Sequence, residues 1–341
     1  MQRCLQLAQN GSGNVAPNPL VGAVLVYQNQ IIGEGYHERY GQAHAEVNCI
    51  NSVAEHNKAY IPFATLYVSL EPCAHFGKTP PCTQLIMQHQ IKTVVIGCLD
   101  PFEAVNGKGA AQLREAGIEV IGPILEAACK SINRRFFHFH TQKRPYIILK
   151  WAETANGWMG LQNQRVAISQ EAAKRLVHQW RSAEAAIMVG TKTVSVDNPQ
   201  LNNRHWNGPS PIRMIIDKQL QLNPNLSLFN DGAPTLIFNA IKQANEGVLQ
   251  YVKIDPHQLI PSILQYAYNH QIQSILVEGG SQLLQGFIDN GLWEEAYIIK
   301  ANHLLEADMQ TGVKAPSLIN AQRVAQQKIG LDSIHYYKQS R

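Results

Sequence analysis

The sequence predicts an α/β protein built as two consecutive domains, and three observations predict it. The chain has 341 residues, more than one typical domain holds. Short apolar runs alternate with stretches of helical periodicity, the pattern of sheets covered by helices. Thr141-Gln142-Lys143-Arg144-Pro145 is polar and ends in proline, which places a boundary between a first domain over 1–142 and a second over 145–341. A hydrophobic content of 45% against 16% charged residues supplies core enough for both. The net charge of +4 is spread without a Lys/Arg block, so no general affinity for nucleic acid or membrane is expected. A local site for an anionic phosphate is compatible with it. No apolar run approaches the ~20 residues of a spanning helix. Met1-Gln2-Arg3-Cys4 opens directly into a helical pattern without the apolar region of a signal peptide. The six cysteines lie mostly in apolar runs, which suits a reducing cytoplasm better than a disulfide framework.

In the first domain, Met1 to Gln9 carries apolar residues at helical spacing and stops at Asn10-Gly11-Ser12-Gly13. Asn14 to Pro19 is a rigid loop leading into Val21 to Val26, a buried strand, and Gln28-Asn29-Gln30 turns the chain back through Ile31 to Glu34 as a hairpin. Gly35 to Gly41 reads as loop, and His44 to Ser52 as a helix with His44 in its first turn. Thr65 to Leu70 is a strand, and Cys73 opens a loop that leads to a helix over Thr83 to His89. Thr93 to Gly97 and Ile118 to Ile121 are strands around a helix over Ala110 to Ala116. Leu125 to Phe139 reads as one long helix. Strands alternating with helices imply a three-layer α/β sandwich.

In the second domain, Tyr146 to Trp151 is a strand and Ala152 to Gly157 the loop after it. Ser169 is expected to cap a helix over Gln170 to Ala183, with Arg175 and Arg181 on its outward face. Ala185 to Gly190 is a buried strand, Pro211 to Asp217 and Thr235 to Phe238 are further strands, and a helix follows Pro261. Ser274 to Ser281 reads as strand, glycine turn and helix start. Backbone N–H groups at such a turn can approach a phosphate at the positive end of a helix. The run is not G-x-G-x-x-G, so it carries no Rossmann signature, and on the residues alone a tight turn explains Gly279-Gly280 as well.

The richest chemistry lies between His44 and Cys82. One imidazole (His44) and two thiols (Cys73, Cys82) form a three-ligand set for tetrahedral zinc, Zn2+, with the fourth position open to a water whose pKa the cation draws towards ~7. Glu46 follows the histidine by two residues. It is poorly placed to ligate the same ion but able to move that water's proton. H-x-E followed by P-C-x-x-C marks zinc nucleobase deaminases. This chain has the pattern, except that eight residues rather than two separate its cysteines. A structural zinc, or a core lined with cysteines, would leave Glu46 without a task.

The residues carry a resemblance over nearly the whole chain. Pro17-Asn18-Pro19-Leu20-Val21-Gly22, Gly35-Tyr36-His37, His44-Ala45-Glu46 and Leu70-Glu71-Pro72-Cys73 through Pro80-Pro81-Cys82 resemble the deaminase half of the RibD family of bifunctional riboflavin biosynthesis proteins. The long run between the cysteines, with its His-aromatic-Gly-basic-Thr-Pro-Pro order, separates the chain from tRNA and cytidine deaminases. The resemblance implies a cytidine-deaminase-like sandwich in which His44, Cys73 and Cys82 bind zinc and Glu46 shuttles protons. Asn18, His37, Lys78 and Asp100 would contact the substrate. The family's Asp-Pro-Asn-Pro loop is Asp100-Pro101-Phe102-Glu103 here, a departure in its middle.

Leu149-Lys150, Thr154-Ala155-Asn156-Gly157, Val189-Gly190-Thr191, Asp197-Asn198-Pro199 and Val277-Glu278-Gly279-Gly280 are similar to the same family's reductase half. That half has a dihydrofolate-reductase-like α/β fold and uses NADPH. The resemblance implies Ala152, Ala167, Thr193, Asp197 and Gly280 around the cofactor, and Arg165, Arg181, Leu201, Arg204 and Glu278 around the substrate. The arginines would hold a phosphate through bidentate donation. Asn156 stands where the family usually has aspartate, and an amide cannot serve as a base. The expected partner is a phosphorylated pyrimidine, and the expected assembly a homo-oligomer. Two other readings stay open at this point. One is a tRNA or nucleoside deaminase fused to a reductase; the other is an active deaminase whose second half only binds nucleotide.

Overall fold

The computed structural model describes residues 1–76, 80–102 and 105–340 and divides into two compact units, Met1–Lys143 and Arg144–Arg341. The first unit is built on a five-stranded sheet of β1 (Gly22–Tyr27), β2 (Gln30–Tyr36), β3 (Thr65–Val68), β4 (Thr93–Ile96) and β5 (Glu119–Ile121), in the order β2-β1-β3-β4-β5. β1 runs antiparallel to β2 and β3, while β3, β4 and β5 are parallel. Successive side chains of β1 go to opposite faces, as strand geometry requires. Val24 packs with Cys4 and Leu7 of the Gln2–Gln9 helix, whereas Ala23 and Leu25 join Ala45, Cys49 and Ile50 of the Ala45–Asn51 helix. That makes three layers. Gly22 lets the first helix sit this close, since a Cβ there would fall 2.0 Å from the Cys4 carbonyl oxygen.

Two expectations for this unit change. β2 continues through Tyr36, so Gly35 and Tyr36 are strand and only His37 onward is loop. The long helix expected over Leu125 to Phe139 is two helices, Glu126–Ile132 and Arg134–Gln142, broken at Asn133. The cause is the Asn133 amide, whose Oδ1 accepts from the Leu20 N–H at 2.7 Å and whose Nδ2 donates to the Leu20 carbonyl at 2.8 Å. The break fixes the loop that carries Asn18.

The second unit holds strands β6 (Tyr146–Glu153), β7 (Trp158–Leu161), β8 (Ala186–Gly190), β9 (Ile212–Ile216), β10 (Thr235–Asn239), β11 (Ala244–Glu246), β12 (Leu249–Lys253), β13 (Ser274–Val277), β14 (Glu295–Lys300), β15 (Gly312–Lys314), β16 (Ala321–Ile329) and β17 (Asp332–Gln339). Ten of them form one sheet, ordered β11-β12-β10-β9-β8-β13-β6-β14-β17-β16, and β7 and β15 form a separate two-stranded ribbon. The run from β12 to β14 is parallel, and parallel strands are covered on both faces. That explains the unbroken apolar runs in β8 and β13. Ile147, Leu149 and Trp151 of β6 face a core with Phe287 and Trp293, while Tyr146 and Ile148 face Trp180.

The helix expected to be capped by Ser169 spans Glu171–Ala183 with Gln170 at its N-cap. Its entry is held from the other end of the unit, by the Gln170 N–H donating to the Asp332 carboxylate at 2.8 Å. Arg181 is not on an outward face, since its side chain is only 13% exposed. No described helix is long and apolar enough to cross a membrane.

Candidate active sites

His44 sits at the N-cap of the Ala45–Asn51 helix and Cys82 at the first position of the Cys82–Gln88 helix, so two helix starts converge with the loop that carries Cys73. The ligand atoms of these three residues lie within 4.8 Å of one another. His44 Nδ1 is 3.3 Å from Cys82 Sγ and 3.6 Å from Cys73 Sγ. A tetrahedral zinc with ~2.1 Å to nitrogen and ~2.3 Å to sulfur needs those atoms about 3.6 Å apart. The donor set fits the ion.

Its electrostatics favour a thiolate. Hydrogen bonding from the Cys82 thiol, then from His44, draws Cys73 down to about 4 against the pull of burial, and the Cys82 N–H donates to Cys73 Sγ at 3.3 Å. Cys82 moves the opposite way, raised by its hydrogen bond to Cys73 and by burial. His44 is raised by its hydrogen bond to Cys73. Glu46, on the first turn of the Ala45–Asn51 helix, is 3% exposed, and burial raises its carboxyl pKa although the His44 charge opposes this.

Asn18 and His37 stand beside this centre in a chain of contacts. His37 Nδ1 is 3.0 Å from the Ala43 carbonyl, so Nδ1 carries the proton and Nε2 accepts from Asn18 Nδ2 at 3.1 Å. The His37 ring meets the His44 ring edge-on with centroids 5.4 Å apart, and burial lowers its pKa, keeping it neutral. Asp100 is buried and pushed up to about 7, chiefly by desolvation, with the Glu71 and Cys73 charges adding to it. Lys78 lies outside the described residues, as does Glu103 of the departing loop. Phe102, the described residue of that departure, meets His75 and His140 with centroids 6.0 and 5.1 Å away.

Sequence reasoning missed Glu71. Its carboxylate accepts from the backbone N–H of Asp100 at 3.2 Å, Gly107 at 2.9 Å and Ala110 at 2.9 Å. The group next to Pro72-Cys73 therefore ties the metal loop to the loop carrying Asp100. Gly109 completes the join, because a Cβ there would fall 2.0 Å from the Pro72 carbonyl oxygen. A charged residue inside a run that is otherwise apolar or ligating was the available signal. Replacing Glu71 with alanine leaves these donors without an acceptor and should cost about 2–3 kcal/mol. Calorimetry of the first unit's transition reads that loss, and a wild-type melting profile would refute it.

In the second unit, a cleft of about 930 Å³ opens at the C-terminal ends of β8 and β13, large enough for a dinucleotide. Of the residues expected around a cofactor, Thr193, Asp197 and Gly280 line it, as does Glu278. Gly280 is the N-cap of the Ser281–Asp289 helix, which places backbone N–H groups at the cleft wall. A Cβ on the neighbouring Gly279 would be 3.0 Å from the Gly190 nitrogen and 2.8 Å from the Leu283 side chain, so any larger residue would have to push the turn aside. Ala152, Ala167, Arg165, Arg181, Leu201 and Arg204 are not among the lining residues. Arg165 and Ala167 are exposed on the segment after β7, and the Arg165 charge acts on Asp197, partly offsetting the rise that burial causes there. Ala152 is on β6, paired with Ile299. Leu201 is 2% exposed in a core with Ile187 and Val189, so only its backbone is free to meet a ligand.

Arg181 is engaged rather than open. Its Nε and Nη2 donate to Glu278 at 2.7 and 2.8 Å, and its Nη1 donates to the Asn202 carbonyl at 3.2 Å. Lys150 Nζ stands 3.5 Å from the same carboxylate. Arg204 donates to the Asn202 side chain at 2.8 Å, so the two arginines meet at one residue that the sequence did not single out.

The chain is similar to known proteins along nearly its whole length. Residues 1–98 match the family described as the cytidine and deoxycytidylate deaminase zinc-binding region, and residues 145–323 match the RibD C-terminal domain. The riboflavin biosynthesis protein RibD of Actinobacillus pleuropneumoniae is 38% identical over 304 residues, covering 86% of this chain and 80% of its own. That of Aquifex aeolicus is 35% identical over 351 residues, covering 99% and 97%. Among solved structures, Acinetobacter baumannii RibD superposes with a TM-score of 0.90 at 29% identity, covering 100% of this chain and 98% of its own. The diaminohydroxyphosphoribosylaminopyrimidine deaminase/5-amino-6-(5-phosphoribosylamino)uracil reductase of Thermotoga maritima does so with 0.89 at 33%, covering 99% and 97%. With a zinc-binding deaminase domain ahead of a reductase domain, and relatives that share both along nearly their full length, the chain belongs to the RibD family of riboflavin biosynthesis proteins.

Proposed function

We infer that the chain performs two consecutive reactions. The first is hydrolytic deamination of 2,5-diamino-6-ribosylamino-4(3H)-pyrimidinone 5′-phosphate. The second is reduction of the ribosyl group of 5-amino-6-(5-phosphoribosylamino)uracil to ribityl with NADPH. The observation that carries the first is the spacing of His44 and the two sulfurs at tetrahedral zinc distances beside a buried carboxylate. Zinc bound by His44, Cys73 and Cys82 supplies Lewis acidity that makes water nucleophilic at neutral pH. Glu46 takes the proton that the attacking water gives up and delivers protons to the ring nitrogen and the departing amine, so that amine and water leave as ketone and ammonia. Its raised pKa suits a group that must give a proton as well as take one. Asn18 and neutral His37 orient the base, with Asp100 near them, and the sequence resemblance assigns Lys78 to the same substrate.

In the second unit, the chemistry that NADPH would supply when bound in the cleft is hydride for the ribose C1′. Thr193, Asp197 and Gly280 would hold the cofactor; Ala152 and Ala167, which the sequence resemblance also assigns to it, lie outside the cleft lining. Glu278, Arg181, Arg204, Arg165 and the Leu201 backbone surround the substrate and its phosphate. The proposal includes a self-associated, cytoplasmic chain acting on a small phosphorylated pyrimidine. Supplying the diaminopyrimidine phosphate with NADPH should release ammonia and then oxidise the cofactor. A chelator should stop both, yet leave NADPH oxidation intact when the deaminated intermediate is supplied instead. Ammonia release that survives removal of the metal would sink the first assignment, and no oxidation with the intermediate would sink the second.

A further inference from the structure

Asn156 lies in the turn after β6, and its side chain makes both halves of a two-point pairing with one backbone residue. Nδ2 donates to the Leu305 carbonyl at 2.9 Å, Oδ1 accepts from the Leu305 N–H at 3.2 Å, and the Thr154 hydroxyl donates to the same Oδ1 at 2.7 Å. The segment held in this way runs on into β15, which pairs with β7 through Gly312 with Leu161 and Val313 with Gly160. Those four residues line the cleft, so the ribbon is one of its walls. The ribbon pairs with no other strand among the described residues, and a lone two-stranded ribbon is marginal by itself. Its placement therefore depends on ties such as this one.

We propose that Asn156 is a positioning residue for the nicotinamide cofactor, its amide setting the β7–β15 ribbon at the spacing the cleft requires. This rests on the reductase reading of the second unit. The residue stands where the sequence resemblance leads one to expect a carboxylate. A carboxylate would accept from Leu305 N–H and Thr154, but it has no proton for the Leu305 carbonyl and would face that oxygen with like charge. An amide donates and accepts together at any pH. The departure from aspartate is then a pH-indifferent clasp, independent of acid–base catalysis.

The test is NADP+ binding, by calorimetry, to the full zinc-loaded chain and to Asn156→Asp and Asn156→Ala, each as a ratio to the parent at the same pH. The carboxyl that Asn156→Asp introduces can donate again once protonated, and an ordinary aspartate has a pKa of about 3.9, so that variant's ratio should sit about tenfold below the parent at about pH 7 and rise towards one only as the pH falls below about 4. Asn156→Ala should be weak throughout. Hydrogen exchange over 303–313 reads the same contact if a variant binds too weakly to titrate, and it should quicken in both variants at the higher pH. A parent that binds while both variants bind as tightly, or an Asn156→Asp ratio flat with pH, overturns the clasp alone. A parent that binds no NADP+ overturns the reductase reading with it.

Discussion

Replacing Glu46 with glutamine should lower deamination ~10²–10⁴-fold, the usual contribution of a positioned proton carrier, while zinc content stays at one ion per chain. Glutamine keeps the shape and one hydrogen-bonding oxygen and loses the charge and the basic oxygen that takes up a proton. Glu46 is not one of the three residues whose ligand atoms cluster, so its loss leaves His44, Cys73 and Cys82 in place. Stability should move in the other direction. Burial raises the Glu46 pKa above its unfolded value, so at neutral pH the folded chain carries a cost for keeping the group ionised. Glutamine removes that cost, and the metal-free variant should melt no lower than the metal-free parent. Cys82→Ser makes the contrast: metal and rate should disappear together. Zinc by atomic absorption, ammonia release and a melting curve on the same samples separate the cases. A Glu46→Gln protein that deaminates at the parental rate, or that loses its zinc, would show that the carboxylate has another task.

Much of this site was legible because its chemistry depends on residue type and on order along the chain. Imidazole, thiols and carboxylate announce themselves, and helix starts at His44 and Cys82 follow from the polar-to-apolar switch after each loop. The central parallel strands β6, β8, β9, β10 and β13 were legible for a similar reason, since strands buried on both faces appear as unbroken apolar runs, whereas β7, β11, β12 and β14 to β17 were not singled out. What could not be read were contacts closed across long separations. Nothing local marks Asn133 as the residue that breaks a helix by pairing with Leu20, which is 113 positions away. Asp332 holding the start of the Glu171–Ala183 helix is of the same kind, at 162 positions. Glu71 and Asn202 looked ordinary because their work is to accept from backbone and side-chain donors brought in by the fold. Asn156 was the sharpest case: by residue type it looked like a loss, and only its two contacts with Leu305 show what an amide does there that a carboxylate cannot.

The ion pair under the second cleft carries the other large expected effect. Arg181→Ala should destabilise the second unit by about 3–5 kcal/mol, because Glu278 would be left buried with Lys150 alone at 3.5 Å. Burial by itself would raise the Glu278 pKa, and the Arg181 and then Lys150 charges outweigh it, holding the carboxyl at about 2 against an ordinary 4.5. The folded pKa is depressed, so this stabilisation is present above the unfolded value and is lost as pH falls through the window from about 4.5 to about 2. The shift corresponds to about 3 kcal/mol. The parent should therefore lose stability across that window, and Arg181→Ala, with the anion no longer favoured, should lose much less there. Replacing both partners, as Arg181→Met with Glu278→Leu, removes that pair and its desolvation together, leaves Lys150 as the one unmatched charge, and should recover most of the lost stability. It should not restore reduction, since both side chains are assigned to the substrate. Urea unfolding at neutral and acid pH, with NADPH oxidation measured beside it, distinguishes the two roles. If the double variant were as unstable as Arg181→Ala, packing rather than charge would be what the pair supplies. If it reduced substrate at the parental rate, the pair would be structural and the phosphate would be held elsewhere.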